Sequence, residues 1–111
     1  MKNEKVIINI AVCEGRHAIA PAVDGAVFGN EIAPEDLINP NKLKNQAAVA
    51  LNNTVAAKSA DIQVADVIVN LYITGLTVAV IAAISAAKEI GYNVVCYHYD
   101  RNSGNYYPQY I

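Results

Sequence analysis

Hydrophobic and polar positions along the chain alternate between two periods. Residues 5–12 are almost continuously apolar and β-branched, which predicts a first, central strand. Leu43, Ala47, Leu51 and Val55 recur every four residues, with Asn45, Asn52 and Asn53 off that line. This spacing predicts an amphipathic helix over residues 42–59, with Asn41 as its N-cap. Residues 67–73 read as a second buried strand, and Thr74-Gly75 interrupts the run. Residues 76–90 are Ala-rich and close with Lys88, Glu89, Ile90 and Gly91, which predicts a buried helix stopped by glycine.

From Tyr92 to Arg101 the period is two. Val94, Cys96, His98 and Asp100 fall on one face, and Val95, Tyr97, Tyr99 and Arg101 on the other. Asn102-Ser103-Gly104 predicts a turn, and residues 105–111 a returning strand. Pro108 cannot donate to a ladder, which puts this last strand at an edge. Residues 13–40 hold Pro21, Pro34 and Pro40 with Gly15, Gly25 and Gly29. They read as loop, with a short strand near Ala26-Val27-Phe28. The order predicts one α/β domain over residues 1–111: a mixed, mostly parallel sheet with helices packed on it and a C-terminal antiparallel hairpin. There is no internal repeat, linker or low-complexity tract.

Residues 67–87 carry no charge and are long enough to cross a bilayer. The β-branched first part, the Thr74-Gly75 break and the helix end at Gly91 favour a strand, a turn and a globular helix instead. The N-terminal residues are polar and the first apolar run ends by Val12, so no cleavable signal is expected. Two cysteines, Cys13 and Cys96, are too few for a disulfide scaffold, and a cytoplasmic protein with reduced thiols is expected.

Composition narrows the partners. Of 111 residues, 54% are hydrophobic and 16% charged, which describes a folded domain. Lys and Arg number 8 against 10 Asp and Glu, for a formal charge of -2. A long nucleic acid needs a basic stripe, and these basic residues are scattered. A small anion needs only one or two well-placed cations.

Ligands of open α/β sheets sit at the carboxyl ends of the strands. There the reading places residues 13–17, 74–77 and 98–101 together. Thr74, Gly75 and Thr77 lie at a strand-to-helix junction, where free N–H groups favour a phosphate. The plainer alternative is a turn capped by Thr74 or Thr77. Arg16 and Arg101 are the only arginines, both at strand ends. Each suits bidentate phosphate contact and base stacking, or a surface ion pair. Six of the seven tyrosines lie between Tyr92 and Ile111. Tyr97 and Tyr99, sharing a face with Arg101, fit a base-stacking platform, a subunit interface or plain sheet packing.

Cys13, His17, Cys96 and His98 match no zinc-binding spacing, so no metal or other cofactor is expected. Cys13 with His17 is a weak nucleophile pair, and Glu14 or His17 could act as a base in a cleft, but no hydrolase or nuclease signature is present. The 76–90 helix is apolar nearly all round, more than one small sheet covers, which predicts a homo-oligomer.

The stretches 10–17 (Ile-Ala-Val-Cys-Glu-Gly-Arg-His), 27–31 (Val-Phe-Gly-Asn-Glu), 71–77 (Leu-Tyr-Ile-Thr-Gly-Leu-Thr) and 97–101 (Tyr-His-Tyr-Asp-Arg) resemble the type-one Thoeris anti-defence sponge family of phages. Nothing distinctive matches between about Pro34 and Val64. The resemblance implies a non-enzymatic protein in the infected bacterial cell. Such sponges bind cyclic ADP-ribose isomers, and some take up cyclic di- or trinucleotides of CBASS defence between subunits. It implies binding positions at Arg16, His17, the turn with Thr74, Gly75 and Thr77, and Arg101. The competing expectations are a ring-nuclease-like enzyme that cleaves cyclic oligoadenylates and a ligand-free oligomeric scaffold.

Overall fold

The computed structural model describes residues 5–13, 23–29, 32–74 and 76–111. Its elements run β1 (Val6–Ala11), β2 (Gly25–Ala26), α1 (Pro34–Leu37), α2 (Pro40–Lys58), β3 (Val67–Tyr72), α3 (Thr77–Ile90), β4 (Asn93–Asp100) and β5 (Asn105–Tyr110). A 3-10 turn at Val64–Asp66 leads into β3. The strands form one five-stranded sheet in the order β2-β1-β3-β4-β5. The first four are parallel, and β5 is antiparallel to β4 at the edge. This is the α/β domain the hydrophobic pattern predicts, and no helix of the described residues is long and apolar enough to cross a membrane.

Why these residues take these forms is largely a matter of which face each buries. Ile8, Ile10, Val67, Val69, Leu71, Val94 and Cys96 point to one side of the sheet and form its core with α2 and α3. On α2 the predicted stripe Leu43, Ala47, Leu51 and Val55 is the buried set. On α3 the buried set is Ala79, Ala82, Ala83, Ala86 and Ala87, small enough for close approach to the sheet and to α2. Each fully buried Ile or Leu contributes about 1.5–3 kcal/mol, so this single layer carries most of the stability.

Three local details differ from the pattern. α2 begins at Pro40, and its cap is Asn39, whose side chain accepts from the Lys42 N–H at 3.3 Å, in place of Asn41. Proline's preset φ and missing N–H suit the first helical position, so Pro40 starts the helix where it reads as loop. A short helix, Pro34–Leu37, occupies part of the same stretch. The short second strand is Gly25–Ala26, pairing in parallel with Ile10 and Ala11.

The helices share one side of the sheet: α2 packs on α3, and α1 on α2. The opposite face is set by register. Ile7, Ile68 and Asn93 make one row across it, and Asn9, Asn70, Val95 and Tyr110 the next. Ala11, Tyr72, Tyr97 and Pro108 follow, then Tyr99 beside Tyr106. No helix of the described residues lies over these rows. β3 pairs with β4 only as far as Tyr97, so residues 98–100 are held by β5 alone and the hairpin runs on beyond the parallel strands.

Candidate functional site

The chain leaves β1 toward β2 on one side and later enters β3 on the other. The carboxyl ends of β1 and β3 therefore bracket a topological switch point, where α/β sheets open a crevice. Thr74 closes the seam. Its hydroxyl accepts from the Cys13 N–H at 2.9 Å and donates to the Cys13 carbonyl at 2.5 Å. The side chain is 4% exposed. Thr74 thus ties the loop after β1 to the loop after β3. Neither threonine caps α3 in the way the plainer reading expects. Leu76 stands at the N-cap with no side-chain bond, and Thr77 is the first helical residue. The reason is that the Thr74 hydroxyl finds both its partners on the neighbouring strand end.

Thr77 is exposed and looks elsewhere. It lines a groove of about 560 Å³ between α2 and α3 with Pro40, Lys44, Val78 and Ile81. The Lys44–Glu89 ion pair, 2.7 Å, closes one side of it. Nothing in the spacing marks this groove, because it depends on how the two helices cross.

Tyr97 and Tyr99 belong to a four-ring cluster on the open face. Tyr97 stacks on Tyr72, with centroids 5.0 Å apart and planes at 16°. Tyr106 meets Tyr72 edge-on at 5.0 Å and Tyr99 at 5.3 Å. The sequence reading missed Tyr72, which lies outside the C-terminal tyrosine run. Its signal is parity: it continues the Ile68, Asn70 face and stands opposite Tyr97. Burial pushes the Tyr72 phenol above its ordinary value, with the Tyr97 phenol adding to the effect. Tyr106 is raised the same way, first by burial, then by Tyr99 and Tyr72. Its hydroxyl is buried without a hydrogen-bond partner among the described residues. On the same face the Asn70 amide donates to Asn9 Oδ1 at 3.1 Å, a pair the spacing does not announce.

Arg101 is exposed at the hairpin tip, and no ion pair reaches it among the described residues. Asp100 does not hold it. The Asp100 carboxylate instead accepts from the N–H groups of Asn102 and Ser103, each at 3.3 Å. Its hydrogen bonds to the Ser103 side chain and then the Asn102 backbone keep it below the ordinary carboxylate value. Four residues past Tyr97 at about 3.3 Å each, Arg101 stands roughly 13 Å beyond the end of the parallel sheet.

Arg16, His17 and Gly75 lie outside the described residues, as does Glu14. Of the expected binding residues, the structure groups Tyr97, Tyr99 and Arg101 on the hairpin. It sets Thr74 in the seam and Thr77 in the helix groove. Cys13 and Cys96 are buried, and burial raises the Cys96 thiol above its ordinary value. The His98 ring shares a hydrogen bond of 2.7 Å with Gln109. No cluster of three or more His, Cys, Asp or Glu side chains suited to a metal occurs among the described residues. No family model, curated protein or solved structure matches the chain.

Proposed function

We propose that the protein binds a small cyclic nucleotide and sequesters it unchanged, as a phage anti-defence sponge acting as a homo-oligomer in the cytoplasm of the infected cell. The observation that carries this reading is the Arg101 guanidinium. It is exposed, without an ion pair among the described residues, and next to the aromatic end of β4. A guanidinium offers a planar fork for a phosphate and a flat face for a base. The adjoining phenols suit binding more than attack, since burial keeps Tyr72 and Tyr106 protonated near neutral pH. A sponge requires affinity and no stabilised transition state.

The test is incubation with a panel of cyclic ADP-ribose isomers and cyclic di- and trinucleotides. Bound material is then released by heat and identified by chromatography. Release of the intact ring supports sequestration. A linear product would assign the chain to the ring nucleases, and no bound nucleotide would remove the reading.

A further inference from the structure

We propose that the sheet face opposite the helices is the interface through which two copies of this chain pack, face to face, about a two-fold axis. The proposal refines the homo-oligomer part of the reading above by naming its surface, and it needs no nucleotide.

Parallel sheets occur almost only with both faces covered. Here α1, α2 and α3 share one side, and the rows on the other carry no charged side chain at all. The middle of this face is already dry: Tyr72 is 3% exposed, under the stacked and edge-on rings of Tyr97 and Tyr106. Its two margins are not. Ile7 on β1 is 46% exposed and Tyr110 on β5 is 78% exposed. Exposed apolar side chains beside an ordered aromatic patch are surface that a partner would remove from water.

Charge selects the occupant. The rows themselves offer a phosphodiester no cation: Arg101 lies past their far end, the Lys5–Asp66 pair lies before their first row, and Lys42, Lys44 and Lys58 of α2 are engaged in ion pairs. A charged peptide would lose its hydration without a counter-charge. A second copy brings the same uncharged rows, so a two-fold pairing desolvates no ion, and the Asn9–Asn70 amides and tyrosine hydroxyls can pair across the axis. Area agrees. At about 4.8 Å between strands and about 3.3 Å per residue, the face spans roughly 400 Å² in plan. With side-chain relief, two copies bury on the order of 1,000 Å², the lower bound of a specific interface.

Extension of the sheet through β5 is the competing route, and Pro108 opposes it. The Ile111 N–H bonds to Val94 O at 3.2 Å. Stepping by two, Gln109 and Tyr107 also face β4 with their amide groups, so Pro108 sits where an outward N–H would be. The free edge thus lacks its central donor.

The experiment is sedimentation equilibrium of the full chain without nucleotide, from low to high micromolar, on the parent and on Ile7→Lys, Tyr110→Lys and Ile81→Glu. All three positions are exposed, so each variant should keep the parent circular dichroism spectrum. The parent should give about twice the 11.9 kDa chain mass or a multiple of that pair. Each lysine variant should raise the dissociation constant about a hundredfold or more, because the two-fold buries two unpaired ammonium groups. Ile81→Glu, in the helix groove, should leave it unchanged. A monomeric parent at every concentration would overturn the proposal, and so would an assembly that withstands both lysine variants or breaks only with Ile81→Glu. None of these outcomes depends on whether a nucleotide binds.

Discussion

Thr74 shows how much one hydroxyl can decide. It satisfies both an N–H and a carbonyl of Cys13 from the adjacent strand end, in a buried seam. Thr74→Val keeps the shape and removes both bonds, and should cost about 1–3 kcal/mol in urea denaturation. Thr74→Ser keeps the hydroxyl and should lose clearly less. The tyrosines make a second prediction, in pH. Burial raises the phenols of Tyr72, Tyr92 and Tyr106 above the ordinary 10.0. Below that value both folded and unfolded chains hold these protons. As pH rises past it, the unfolded chain releases them first and unfolding gains. Stability should therefore be full below about pH 9, begin to fall from the ordinary 9.0 of Cys96, and fall further above 10.0 as the tyrosines join. Denaturation midpoints from neutral to strongly alkaline pH check this, and Tyr72→Phe or Tyr106→Phe should flatten the decline.

At the scale of elements, the helix ends separate what is legible from what is not. Gly91 is readable as the stop of α3, and it adopts φ +108° there, bonding back to the Ala87 and Lys88 carbonyls. A Cβ at this position would meet Val64 Cγ1 at 3.1 Å. Gly91→Ala combines a left-handed backbone with that contact, and should lower stability by about 1–2 kcal/mol in thermal or chemical denaturation. The start of α2 is less legible: the pattern reads Asn41 as the cap, and Asn39 takes that place because Pro40 is the first helical residue. The four-residue stripe of α2 and the two-residue alternation of β4 needed no such arbitration. Burial of one face is the same requirement wherever the element ends up, so it writes itself into the spacing.

For the whole molecule, the arrangement of chemistry depends on which strands become neighbours. The carboxyl-end rule sends Arg101 toward the loops that follow β1 and β3, but the hairpin carries it past the sheet, away from the seam that Thr74 closes. If Arg101 holds a nucleotide, Arg101→Lys should weaken binding nearly as much as Arg101→Ala, by about 1–3 kcal/mol in calorimetry. The melting temperature should change little, since the side chain is exposed. A lysine variant binding like the parent would mean that charge alone suffices, and an alanine variant binding like the parent would take Arg101 out of the site.

Local pattern alone determined the α/β class, the four longer strands, both long helices and the edge position of the Pro108 strand. Each follows from a spacing or a backbone constraint carried within a few residues. Tertiary structure decided that α2 and α3 lie on the same side of the sheet, that Tyr72 joins Tyr97 and Tyr106, and that Thr74 bonds to Cys13 in place of capping a helix. These outcomes join residues far apart in the chain, as Thr74 and Cys13 are at 61 positions. A spacing rule records only what neighbours require of one another. Which strand lies beside which, and which face is left uncovered, is settled when the crossovers close and one sheet face takes both helices.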